Sequence, residues 1–181
     1  CIMCGACVSD CTVLAAELKA GKPYDQTFLA PAALAKAYRF VADPRDGKQR
    51  ERLQKLSQPT GAWDCTHCFE CVEVCPKGVA PMDRILKIRD LAVEAGYTNN
   101  AGSRHAKAAE HSIRASGRNY ELTFYPKSVG LFNVKELVPN IPIGLKLVRK
   151  AGSHFVLPHK AEKSQRIRRI AEKLNRQEPE E

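Results

Sequence analysis

The stretch Cys65-Thr66-His67-Cys68-Phe69-Glu70-Cys71-Val72-Glu73-Val74-Cys75-Pro76-Lys77 decides how the chain folds. Its cysteines run C-x-x-C-x-x-C and then, three residues on, C-P, which is the ferredoxin spacing for an iron–sulfur cluster. Two intervening residues turn each sulfur back toward a common centre, so three thiolates can wrap one cube. The fourth lies too far along the chain and commonly ligates a neighbouring cluster. The spacing therefore predicts a second, similar motif.

Cys1-Ile2-Met3-Cys4-Gly5-Ala6-Cys7-Val8-Ser9-Asp10-Cys11 supplies it. Superimposing the two pairs Cys1 with Cys65, Cys4 with Cys68, Cys7 with Cys71 and Cys11 with Cys75, at a constant interval, and uses all 8 cysteines. The expectation is two 4Fe–4S clusters with crossed ligation. Cys1, Cys4, Cys7 and Cys75 would hold the first; Cys65, Cys68, Cys71 and Cys11 the second. Structural zinc uses pairs of cysteines separated by a longer loop, and triplets group the ligands wrongly for two tetrahedral sites. A disulfide framework belongs to short, loop-rich secreted domains, whereas this chain has long helical stretches.

At 181 residues the chain suits one domain with an extension. Aromatic residues make up only 7%, so two inorganic clusters would supply part of the core and of the folding free energy. No run approaches the roughly 18 apolar residues of a spanning helix, and no signal peptide or twin-arginine segment is visible. Because Cys1 is already a ligand and no initiator methionine precedes it, further N-terminal chain is expected, with any targeting signal on it. The formal charge of +9 suits nucleic acid, anionic lipid or an acidic protein surface. No nucleic-acid module or aromatic stacking platform is present, which leaves an acidic partner subunit or a lipid surface.

Helical signals follow each cysteine loop. Residues 12–20 read as a short helix ended by Gly21 and Pro23. Pro31 opens the next, with Leu34, Ala37, Tyr38 and Val41 on one stripe, stopped by Asp43-Pro44-Arg45-Asp46-Gly47. Arg50 to Leu56 reads as a third. Pro81 to Ala95 forms another, burying Ile85, Ile88, Leu91 and Ala92 and leaving Arg84, Lys87, Arg89 and Asp90 in solvent. This describes an α-helical ferredoxin domain over residues 1–97.

Residues 98–181 read as a basic, partner-docking extension, partly irregular and partly helical. Ser103 to Ser116 is a helix rich in His, Lys and Arg. Residues 120–156 are broken by Pro126, Pro139 and Pro142. Their apolar groups (Phe124, Tyr125, Leu131, Phe132, Leu137, Ile141, Ile143, Leu147) are too scattered for a self-contained core and suit packing on a partner. From Ala161 to Arg176, Ile167, Ile170, Ala171 and Leu174 line one face among Lys163, Arg166, Arg168, Arg169, Lys173 and Arg176. That basic amphipathic helix suits anionic headgroups or packing on its own subunit.

Cys1 to Cys11, the helix from Phe28-Leu29-Ala30-Pro31 through Ala42-Asp43-Pro44-Arg45-Asp46, and Cys65 to Pro76-Lys77-Gly78 together resemble the iron–sulfur subunit of succinate dehydrogenases and fumarate reductases, over residues 1–97. The resemblance implies an α-helical ferredoxin domain preceded by a 2Fe–2S domain of plant-ferredoxin type, and a partner flavoprotein carrying FAD. Two departures stand out. Typical members lack one cysteine of the second motif and hold a 3Fe–4S cluster there, whereas Cys68 fills that corner here. Typical members also place Pro after the last cysteine of the first motif, a Trp shortly beyond, and a His just after the first cysteine of the second, around the quinone. Here the chain reads Thr12-Val13-Leu14-Ala15-Ala16 and Cys65-Thr66. Both departures, with the basic extension, resemble a divergent branch whose membrane-anchor position is filled by a subunit with cysteine-rich CCG motifs, related to heterodisulfide reductase.

The resemblance implies a subunit with no catalytic residue of its own. It would relay single electrons between the flavoprotein, where succinate or fumarate reacts, and a quinone- or thiol/disulfide-linked anchor subunit. Such a complex is expected at the cytoplasmic membrane, peripherally and on its cytoplasmic side. The alternatives are an electron-transfer subunit of a heterodisulfide-reductase-type complex, and a soluble two-cluster ferredoxin. Gly5 and Gly78 either let the backbone approach the clusters or simply make turns. His67 either hydrogen-bonds a cluster sulfur or faces solvent. Lys77 either raises a nearby potential or is solvated. His105, His111, His154 and His159 have no ligand spacing and read as structural or exposed.

Overall fold

The computed structural model describes residues 1–130, 133–151 and 160–177. Leu131, Phe132, His154 and His159 lie outside them, as do the side chains of Leu174 and Arg176. Among the described residues there are helices and turns and no strand, so the mainly helical reading holds. The chain divides into two compact units, Cys1–Asn100 and Ala101–Glu181.

In the first unit the helices are α1 (Ala6–Ser9), α2 (Thr12–Lys19), α3 (Ala30–Val41), α4 (Gln49–Leu56), α5 (Glu70–Glu73) and α6 (Pro81–Glu94). Pro31 and Pro81 stand in the first turns of α3 and α6, where a missing N–H costs no helix bond. These two helices pack on each other and form the centre of the unit. Leu34 and Val41 of α3 and Met82, Ile85 and Ile88 of α6 are fully buried, with Leu53 and Leu56 of α4 closing one side. Cys11 and Cys71 belong to the same apolar cluster, so the cysteine loops rest directly on the α3–α6 core.

Short polar ties fix the connections between these helices. Glu17 near the end of α2 accepts the backbone N–H of Phe28 at 2.7 Å through Oε2 and binds Lys22 Nζ at 2.6 Å through Oε1. The N–H of Leu29 donates to Thr60 O at 2.9 Å, drawing the start of α3 to the approach of the second loop. Gly61 sits in that approach, and a Cβ built on it would stand 2.2 Å from Leu56 O and 2.8 Å from Gln58 O. Only glycine lets the two backbones come so close.

One residue of α6 departs from the sequence expectation. Arg89 is half-buried and not solvated. It follows Ile85 by one turn and so lies on the inward face; its guanidinium leaves the core sideways, toward the second cysteine loop.

The second unit contains α7 (Ala101–Ser116), α8 (Glu121–Val129), α9 (Val134–Leu137), α10 (Ile141–Ala151) and α11 (Ser164–Gln177). Both α8 and α11 pack on α7, whose Ser103, Ala108 and Ser112 are buried. Ser112 Oγ accepts the N–H of Tyr120 at 2.7 Å and donates to Arg118 O at 3.0 Å, turning the chain from α7 into α8. The stretch read as broken by prolines is helical over its described part. Pro139 and Pro142 fall in the first turns of a 3-10 turn and of α10, where no donor is needed. Pro126 is tolerated inside α8 at the loss of one helix bond. His105 is structural: it pairs with Ser128 Oγ at 2.8 Å and meets Phe124 edge-on at 4.9 Å. Val134, Val138, Ile141, Ile143, Leu145 and Leu147 remain exposed. In α11, Ile167 and Ala171 are half-buried while Ile170 faces solvent.

Candidate metal centre

The two cysteine loops have the same backbone. Met3 (φ 54°) and Gly5 (φ 82°) are left-handed around Cys4, and His67 (φ 59°) and Phe69 (φ 65°) are left-handed around Cys68. Each loop then enters a single helical turn, α1 or α5. Val8 N–H donates to Gly5 O at 2.9 Å as Val72 N–H does to Phe69 O at 2.8 Å. Cys11 N–H donates to Val8 O at 3.2 Å as Cys75 N–H does to Val72 O at 3.3 Å. Left-handed residues on both sides of a cysteine turn the backbone sharply, and loops of this kind form the nests of N–H groups that hold anionic iron–sulfur groups. That three non-glycine residues adopt this conformation marks it as enforced by the site, since each costs of order 1 kcal/mol.

All eight cysteines are free thiols. Cys1, Cys4 and Cys7 line one pocket with Cys75, which arrives from the other motif, and with Pro76, Lys77 and Val79. The pocket holds about 410 Å3, counting space open to solvent. Near Cys71 stand Cys65, Cys68, Cys7 and Cys11, all close enough to raise its thiol pKa by charge repulsion. Burial is the larger cause, and together they push Cys71 up to about 11. Burial likewise raises Cys7 and Cys65. A buried thiol with a raised pKa is a weak anion in water but a good ligand once metal replaces its proton.

Two sulfurs are stabilised as thiolates by the chain itself. Backbone N–H groups of Val79, Lys77 and Gly78 face Cys75 and lower its pKa, with Val79 N at 3.3 Å from Sγ. The Thr12 hydroxyl lowers Cys68 most, with N–H groups of Glu70 and Thr12 adding to it; Thr12 Oγ1 is 3.3 Å from Cys68 Sγ. Cys11 and Cys71 are buried while Cys1, Cys4 and Cys68 are exposed, so each loop has a wet outer rim and a dry inner side. The sulfurs surround space and do not close on a point: among the described residues no three of His, Cys, Asp and Glu gather tightly enough for a single ion. Thiolates spread around a cavity, with N–H groups aimed inward, fit a multi-iron core.

The flanking residues now have places. Gly5 and Gly78 are both left-handed (φ 82° and 57°), and Gly5 lines the first pocket with open space beside it. Lys77 is exposed at the rim of the first pocket. His67 is exposed, with Nε2 against the Arg89 guanidinium. Arg89, Trp63 and Met82 escaped the sequence reading. Met82 is fully buried with Sδ 3.6 Å from Cys65 Sγ. Arg89 was detectable as a charge on the face of Ile85 and Ile88; Trp63, two residues before Cys65, carried no signal beyond proximity.

The fold and the sulfur-lined loops define a dicluster protein of ferredoxin type, and residues 1–79 match the family described as 4Fe-4S dicluster domain. The chain is 30% identical over 135 residues to the 8-methylmenaquinol:fumarate reductase iron-sulfur subunit of Wolinella succinogenes, covering 74% of this chain and 40% of that one. It is 37% identical over 89 residues to the succinate dehydrogenase iron-sulfur subunit of Coxiella burnetii, 49% of this chain and 35% of the relative. It is 39% identical over 89 residues to the fumarate reductase iron-sulfur subunit of Mycobacterium tuberculosis, 49% and 33%. No solved structure matches the chain. Residues 1–79 thus carry a 4Fe-4S dicluster domain, and the chain is similar to iron–sulfur subunits of succinate dehydrogenases and fumarate reductases, spanning about two fifths or less of these relatives' length.

Proposed function

We propose that the chain is the electron-relay part of a succinate dehydrogenase or fumarate reductase type complex, holding two 4Fe–4S clusters in interleaved ligand sets. Cys1, Cys4, Cys7 and Cys75 would hold the first, and Cys65, Cys68, Cys71 and Cys11 the second. The observation that carries this is the crossing: Cys75 lines the pocket of the first motif, and Cys11 stands beside Cys71.

Bound there, each cluster takes up and returns one electron at a time. The chain supplies four thiolates to each, keeps the inner side dry, and aims N–H groups at sulfurs so that added negative charge is stabilised. Succinate or fumarate would react at FAD on a flavoprotein partner, and a 2Fe–2S domain of the same subunit would lie between. No catalytic residue is assigned to this stretch.

On the far side we place a quinone-linked or thiol/disulfide-linked anchor subunit of the CCG type. The Wolinella succinogenes relative, named for a quinol, supports the quinone-linked side of this, and its match of 135 residues exceeds the first unit and so takes in part of the second. Residues 101–181 hold 16 Lys and Arg against 8 Asp and Glu, nearly all of the net charge, beside the exposed apolar side chains from Val134 to Leu147. That composition suits docking on an acidic subunit at the cytoplasmic face of the membrane. No helix among the described residues is long and apolar enough to cross a membrane.

Purification from the native source with identification of the accompanying subunits, followed by succinate and fumarate assays, tests the reading. A flavoprotein partner with either activity supports it. Heterodisulfide-reductase subunits, or a monomer with no partner, would replace it by one of the two alternatives.

A further inference from the structure

Arg89 makes four contacts, and none is to a carboxylate. Its Nε donates to Ala62 O at 2.9 Å and one terminal nitrogen to Cys65 O at 2.8 Å. The other terminal nitrogen meets His67 Nε2, and the guanidinium carbon lies 5.1 Å from the Trp63 ring centroid. Two carbonyls and an imidazole take three of its N–H groups and an indole face flanks its plane, and none of the four is an anion. Asp64 favours the cation through space, less than the Cys65 sulfur does, and its Oδ2 accepts the N–H of Thr60 at 2.8 Å with no direct pairing to Arg89. Among the described residues no acidic group forms an ion pair with Arg89.

Burial works against this cation, and the Cys65 sulfur is the largest influence favouring it. A half-buried guanidinium is costly unless negative charge is close. Beyond the lesser influence of Asp64, the charge available is that of the second thiolate set. We infer that Arg89 is the counter-cation of the cluster held by Cys65, Cys68, Cys71 and Cys11, and that it raises that cluster's reduction potential. The inference rests on the proposed ligand sets. Four thiolates leave a 4Fe–4S group net negative, and reduction adds one more negative charge. A fixed cation beside it therefore stabilises the reduced form more than the oxidised form. Among the described residues the cations beside the first set, Lys77 at its rim and Lys36, Arg39 and Arg84 around a pocket next to Cys1, are all exposed, where their field is screened. Arg89 is thus a half-buried charge that acts on the second cluster more than on the first.

Arg89 is a positioning residue by this account, since its hydrogen bonds also hold the loop from Ala62 to His67. Charge and clamp separate experimentally. Arg89→Gln keeps a donor and removes the charge; Arg89→Met keeps the stem on Trp63 and removes the charge; Arg89→Lys keeps the charge and loses the fork. Both clusters are titrated by electron paramagnetic resonance on the purified complex, with the first as internal reference. The two neutral variants are expected to lower the second midpoint relative to the first, by roughly tenfold in the reduced-to-oxidised ratio, or about 59 mV for one electron. Lys should keep most of the separation. If only Lys loads the second cluster, charge is again the requirement and the inference stands. An unchanged separation in a neutral variant, or equal failure of all three to load, overturns it. Failure of the wild-type protein to show two 4Fe–4S signals would instead sink the ligand assignment itself.

Discussion

The Thr12 hydroxyl donates to Cys68 Sγ across 3.3 Å, joining the residue after the last cysteine of one motif to the second cysteine of the other. Both are positions at which the chain departs from the pattern that the resemblance implies, and they touch. A proline at position 12 would offer Cys68 neither an O–H nor an N–H. With Thr12, the first motif sends the proposed second set both Cys11 and a hydrogen-bond donor to Cys68. Thr12→Val should weaken the reduced second cluster by about 1 kcal/mol, roughly fivefold in its reduced fraction. Thr12→Ser should restore it, as read by redox titration.

Cys68 is exposed while Cys11 and Cys71 are buried, so in the proposed second set its corner is where an iron would leave. Cys68→Ser should convert one cluster toward a three-iron form, visible as a new resonance signal and a loss of about one iron per chain. Unchanged spectra of both clusters would show that Cys68 is not a ligand.

Gly61→Ala places a methyl 2.2 Å from Leu56 O, against backbone that cannot rotate away. The end of α4 or the approach to Cys65 must shift, at a cost of about 1–3 kcal/mol. Thermal unfolding should show the loss, and Gly47→Ala, with open space around its Cβ, should not.

Glu17 is held below its ordinary pKa, first by Lys22 and then by the N–H of Phe28. A depressed folded pKa means that its contribution is present above the unfolded value near 4.3, and disappears as pH falls through the folded value. Glu17→Gln should cost about 1 kcal/mol at pH 7. The gap in melting temperature between the two proteins should close as pH drops below about 4. A constant gap would mean that the carboxylate charge plays no part.

Much of the molecule was legible because its constraints are local. The cysteine spacing, the prolines at the starts of α3 and α6, and the 3.6-residue stripes through Leu34, Val41, Ile85 and Ile88 each act within a few residues. The prolines of residues 120–156 misled because a break in one helix is also the favoured start of another, which Pro139 and Pro142 illustrate. Arg89 misled differently: charge argued for solvent while register placed it inward, and register won because carbonyls of the second loop were there to receive it.

From its order of residues alone the chain specified a duplicated cysteine loop on a helical framework, because ligand spacing and helix periodicity are properties of neighbours. That Thr12 meets Cys68, that Cys75 lines the first motif's pocket, and that Arg89 reaches Cys65 were settled by folding. Those residues are far apart in the chain, and the packing of α3 on α6 brings their loops within hydrogen-bond and Coulomb range.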